Sequence, residues 1–196
     1  MADRAPRSNR REQILQAFAA MLETHPGSRI TTAALAKHIG VSEAALYRHF
    51  PSKAKMIDGL IAFAEATVFE RVGQIVDEHG DPEPRCAAVL MLLLAFCERN
   101  PGFARLFAGE ALQGETERLR QRMRQFYDRI ETQLRQIIRE AYAIRATPPP
   151  LSAAAAANLL LASAEGRISQ FVRSEFKTQP TEGWTNQWQV LARALF

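Results

Sequence analysis

Two complete sets of helix-start signals lie eleven residues apart, at Thr31 and Ser42, with Gly40 between them. In ITTAALAKHIG, Thr31 follows apolar Ile30 and precedes Leu35 at the fourth helical position, and in VSEAALYRHF, Ser42 repeats the arrangement with Val41 and Leu46. A hydroxyl that accepts a first-turn amide hydrogen and an apolar pair that staples the entering chain fix each helix start locally. Gly40 supplies the left-handed residue that ends one helix and turns the chain sharply into the next. Small Ala36 allows close approach, and Leu46 and Phe50 are placed to plug the space between this pair and the preceding helix. The pattern predicts a helix-turn-helix.

The rest of the chain also reads as helix, with no convincing strand alternation. A first helix is expected from about Ser8 to Thr24 on the stripe Ile14, Leu15, Phe18, Met21 and Leu22, and a fourth from Ser52 to about His79, ended by Gly80-Asp81-Pro82-Glu83-Pro84. Helices are then expected at about 85–99, 101–112, 115–145, 152–176 and 182–196. In the long 115–145 segment, residues from Leu119 through Phe126 and Ile137 to Ile144 recur at steps of three and four, a seam that fits a bundle helix better than a coiled coil. The expectation is an all-α chain: a flexible basic leader over 1–7, a three-helix DNA-binding head over 8–52 reaching about 68 along the linking helix, and a helical-bundle body over 53–196.

Charge is divided unevenly along this plan. The formal net charge is +4, and residues 1–60 hold all of it, with nine Lys or Arg against five Asp or Glu. A basic head on a neutral body fits a head that meets a polyanion. With 47% hydrophobic and 23% charged residues, the composition is that of a globular protein. Cys86 and Cys97 are too few for a disulfide framework and read as packed free thiols of a cytoplasmic protein. The apolar run ending at Cys97 is too short to span a membrane, and the arginine-rich start lacks the apolar region of a secretory signal. His25, His38, His49 and His79 show no metal-ligand spacing, and no phosphate-cradling glycine loop, GxSxG or nucleophile with a base is present. Neither an enzyme, a metal nor another cofactor is expected.

A helix-turn-helix inserts its second helix into the major groove, N-terminus first. That places Ser42, Glu43, Ala44, Tyr47 and Arg48 toward DNA, with Ser42, Ala44 and Arg48 best placed to read bases. Thr31, Thr32, Tyr47, His49, Ser52 and Lys53 offer hydroxyls, an imidazole and an ammonium to phosphates. Glu43 is ambiguous: it favours a helix start and could accept from cytosine, but it repels the DNA backbone. Arg7, Arg10 and Arg11 lie at the basic start of the head, around the beginning of the expected first helix, either entering an adjacent minor groove or remaining a solvated leader.

The run from Ile30 to Lys55, with TTAALAKHIGVS and LYRHFPSK, resembles the TetR family of bacterial DNA-binding proteins. The resemblance implies a homodimer through the last two helices, with two heads on a palindromic DNA site. Ala162 and Gly166 would permit close helix approach there, and Trp184, Trp188 and Leu191 would supply apolar area, the tryptophans reading as interface or core packing and not as an aromatic cage. A longer likeness, carried by RREQILQ, VSEAALYRHFPSKAKM, ERNPG, RIETQLRQIIRE and SQFVRSEFK, is to nucleoid-occlusion members of that family. It implies that the DNA-bound protein blocks assembly of the division protein FtsZ over the nucleoid, through Phe63, Arg71, Leu92, Arg99 and Asn100. Periodicity alone reads Phe63 and Leu92 as core. The alternative function is a ligand-responsive repressor whose body encloses a small apolar molecule among Leu90, Leu93, Phe96, Phe103, Leu106, Phe107, Phe126 and Ile130.

Overall fold

The computed structural model describes residues 10–25, 30–78 and 80–196. Among these, all regular structure is helical: α1 Arg10–Thr24, α2 Thr32–Ile39, α3 Glu43–His49, α4 Lys53–Glu78, α5 Pro82–Arg99, α6 Pro101–Phe107, a 3₁₀ turn Glu110–Leu112, α7 Glu117–Ala143, α8 Ala153–Arg173 and α9 Trp184–Leu195.

The local signals of the head act as expected. The Ala34 amide donates to the Thr31 hydroxyl at 3.1 Å and the Ala45 amide to the Ser42 hydroxyl at 3.2 Å. Gly40 has φ 74°, and its N–H meets the carbonyls of Ala36 and Lys37. Because both helix starts are capped by their own side chains, helices of eight and seven residues persist where propensity alone would leave them marginal. Phe18, Leu35, Leu46 and Phe50 fill the centre of the head, all nearly or fully buried.

Three boundaries differ from the sequence reading. Pro82 and Pro84 open α5 instead of separating it from α4, because the first turn of a helix needs no internal N–H donor. The helix expected over 101–112 divides at Gly109, whose φ of 78° breaks α6 from the 3₁₀ turn. Ile144 lies past the end of α7 and is exposed, so the apolar seam stops at Ala141.

The seam of α7 is buried against α8, α5 and α4 of the same chain, as a bundle helix and not as an isolated coiled coil. The centre of the body is filled by aromatic rings: Phe107 lies 4.8 Å from Phe126 and Phe96 lies 5.4 Å from Phe103, centroid to centroid. Burial raises both free thiols, Cys86 to about 12 and Cys97 further, so neither is a nucleophile at neutral pH. No helix among the described residues is long and apolar enough to cross a membrane.

Head and body are joined along two lines. α4 runs from the head into the body as one unbroken helix, and α1 lies against α6. From α6 the buried Arg105 donates to the carbonyls of Leu22 at 2.6 Å and His25 at 2.7 Å, closing the last turn of α1, while Glu110 balances its charge at 2.7 Å. Carbonyls at a helix end have no partner within the helix, and a guanidinium satisfies two at once.

Candidate nucleic-acid interface and partner groove

Capping sets the outer face of the head. With Ser42 at the start of α3 and Leu46 and Phe50 turned inward, Glu43, Ala44, Tyr47, Arg48 and His49 are left exposed. Two of these side chains are already engaged. The Thr32 hydroxyl donates to Glu43 Oε2 at 2.9 Å and receives the Tyr47 hydroxyl hydrogen at 3.2 Å, so Thr32, Glu43 and Tyr47 brace α2 against α3. Glu43 is thereby tied to α2 through Thr32 while its side chain stays on the exposed face. Arg48 extends freely from the middle of this face.

At the edges of the head the structure rearranges the expected cations. Arg10 is the first residue of α1 and donates to Gln13 at 2.8 Å, within the helix expected from about Ser8. Arg11 lies 4.6 Å over the Phe50 ring, and Arg7 falls outside the described residues. Ser52 accepts from the Lys55 amide at 3.2 Å and so caps α4. Lys53, expected on phosphate, turns toward the body and pairs with Glu115 at 2.7 Å.

Beside the head, α1, α4 and the α5–α6 corner enclose an open groove of about 590 Å³. Phe63, Arg99 and Asn100 line it together with Leu15, Gln16 and Ala19 of α1 and with Phe103. Phe63 is 53% exposed, which overturns the periodicity reading of a core residue, and its ring lies 5.7 Å from that of Phe103. Asn100 donates to the Phe96 carbonyl at 2.8 Å and so also closes α5. Arg71 lies about two turns beyond Phe63, exposed and hydrogen-bonded to Gln74 at 2.7 Å, and does not line the groove. Leu92 packs partly buried against the core and does not line it either. The contribution of α1 was missed by the sequence reading, because nothing local says which distant helix will cover the Asn100-Pro101-Gly102 corner.

One ion-pair cluster holds α4 against α7. Arg122 reaches Asp58 and, at 2.6 Å, Glu65. Burial alone would raise the Asp58 carboxyl, but the hydrogen bonds and charges of Arg122 and Lys55 hold it below its ordinary value.

On α8 and α9, Trp184 and Trp188 are 2% and 8% exposed within a single chain, and the Trp188 indole donates to Glu83 at 3.2 Å. Of the two expected roles, interface or core, their burial within one chain fits the core. Exposed on these helices instead are Leu159, Ala162, Gly166 and Val190, with Leu191 half-buried.

Residues 14–60 match the family described as bacterial regulatory proteins, tetR family, and residues 83–196 match the SlmA-like family described as tetracyclin repressor-like, C-terminal domain. The chain belongs to the TetR family. Its TetR fold is shared with fatty acid degradation regulator FadR from Bacillus halodurans, at TM-score 0.81 and 15% identity over 96% of this chain and 97% of that one. FadR from Bacillus subtilis in complex with stearoyl-CoA matches at TM-score 0.79 and 16% identity, over 94% and 98%. Among TetR-family proteins, much nearer relatives carry the name nucleoid occlusion factor SlmA. That from a Marinomonas species is 56% identical over 189 residues, 96% of each chain, and that from Shewanella pealeana 56% identical over 191 residues, 97% of each.

Proposed function

We propose that this chain is a sequence-specific DNA-binding nucleoid occlusion factor and not an enzyme. It works at the chromosome in the cytoplasm. As a homodimer it presents two heads to a palindromic site and, once bound there, antagonises FtsZ assembly. The observation that carries the reading is the 56% identity, extending over 96% or more of both chains, to relatives named for nucleoid occlusion.

The geometry supports a division of labour. Ser42, Ala44 and Arg48 read bases, and Thr31, Thr32, Tyr47, His49 and Ser52 hold phosphates, with Glu43 bracing the motif. Lys53 joins the phosphate contacts when it leaves Glu115. The groove beside Phe63, Arg99 and Asn100 takes a segment of FtsZ, with Arg71 and Leu92 flanking it along α4 and α5. Dimerisation uses α8 and α9, through Ala162, Gly166, Leu159 and Val190.

The test is sedimentation of FtsZ with GTP in the presence of this protein, with and without chromosomal fragments that it selects. Less polymer in the pellet only when such DNA is present supports the reading. Unchanged pelleting with selected DNA overturns the FtsZ role, and failure to select any DNA overturns the whole. A ligand-responsive repressor would need an apolar cavity among the side chains of the body, and the mutual packing of Phe96, Phe103, Phe107 and Phe126 speaks against one there.

A further inference from the structure

Lys53 is the first residue of α4, directly after the helix-turn-helix, yet its ammonium faces inward. It lines a small cavity of about 120 Å³ with Arg105 and Glu110, and it is bonded to Glu115 at 2.7 Å. The pair is lopsided: the lysine side chain is 21% exposed and the glutamate only 8%. A phosphate can draw the flexible lysine outward, but the Glu115 side chain left behind would be shielded from water and without its partner. A buried group that loses its ion-pair partner is strongly unfavourable, which drives Glu115 outward when Lys53 leaves.

Glu115 sits on a turn between α6 and α7, outside any long helix. Gly109 and Gly114, at φ 78° and 72°, flank the 3₁₀ turn just ahead of Glu115, within the 109–116 connection from α6 to α7. That connection is tethered at its other end by Arg105 and Glu110, the pair that closes α1 and so one wall of the groove. One short stretch thus touches both the DNA-facing start of α4 and the helix that covers the groove.

We propose that Glu115 is an internal competitor for DNA. In the free protein it holds Lys53 against the body, and a backbone phosphate displaces it, releasing the segment 109–116. This rests on the reading of Lys53 as a phosphate contact. The lysine is the shared element, so phosphate and carboxylate cannot both hold it, and occupancy of DNA is reported to the body by the freed glutamate.

The experiment is a double-mutant cycle on duplex affinity with Glu115→Gln, Lys53→Ala and the two combined, each checked by its melting curve. Glu115→Gln should bind both a selected and a random duplex about threefold to tenfold more tightly, since the lysine is no longer withheld. In the Lys53→Ala background the same change should have no effect. A gain that survives in that background is a general loss of negative charge and overturns the gate, as does weaker binding by Glu115→Gln alone. If Lys53→Ala leaves duplex affinity and its salt dependence unchanged, the phosphate contact itself is wrong, an outcome distinct from failure of the gate. As a second readout, duplex binding should speed amide hydrogen exchange over 109–116 in the parent protein and leave it unchanged in Glu115→Gln. Unaltered exchange in the parent on saturating duplex also overturns the proposal.

Discussion

Gly102 lies so close to Ala19 that a Cβ on the glycine would stand 2.1 Å from the alanine carbonyl oxygen. That contact is where α6 of the body meets α1 of the head, at the floor of the groove. Its backbone angles do not require glycine; the approach of the two helices does. Replacing Gly102 with Ala should push α1 off α6 and destabilise the fold by about 1–3 kcal/mol. Thermal or urea unfolding checks this, and an unchanged midpoint would show that the two helices do not depend on that approach.

Arg48 stands free on the exposed face of α3, where the groove of a duplex would lie. If it makes a bidentate base contact, Arg48→Ala should reduce discrimination between selected and random duplex by about 1–3 kcal/mol, beyond any loss common to both. Fluorescence anisotropy on the two duplexes measures it. Equal loss on each would make Arg48 a backbone contact.

With both tryptophans buried in the protomer, the proposed dimer through α8 and α9 would rest on what these helices leave outside. Leu159 is 41% and Val190 69% exposed. Placing Asp at either position should leave the fold intact and shift the protein toward a 21.9 kDa monomer in light scattering at micromolar concentration. A dimer that persists in the Leu159→Asp/Val190→Asp double variant would move the interface elsewhere.

Burial between α7 and α8, reinforced by the negative charge of Glu131, raises the Glu165 carboxyl above its ordinary value. Folding therefore favours the protonated form, and the folded chain holds a proton that the unfolded chain has released. Stability falls as pH rises from the ordinary carboxylate range through the raised value, and stays lower above it. Glu165→Gln should accordingly melt higher than the parent at pH 7, with the difference narrowing toward pH 4. Calorimetry at the two pH values decides it, and a constant difference would assign the effect to packing.

The partner groove divides what was legible in advance from what was not. The helix-turn-helix was legible because its determinants are local: Thr31, Gly40 and Ser42 each act on amides within four residues, so the sequence carries the geometry almost directly. The same holds for the basic head and for the bundle seam of α7. Phe63 was misread because a helical stripe cannot tell a residue covered by a neighbour from one lining an open groove; only the position of α1 against α6 decides that. Lys53 shows the same limit for charge. Its place at the start of α4 was written in the sequence, but its partner, 62 residues along the chain, was chosen by the tertiary fold. The tryptophans complete the pattern: their spacing marked one apolar face of α9, and the packing of the protomer determined that this face is spent inside a single chain, since apolar area buried once cannot be buried again against a second copy.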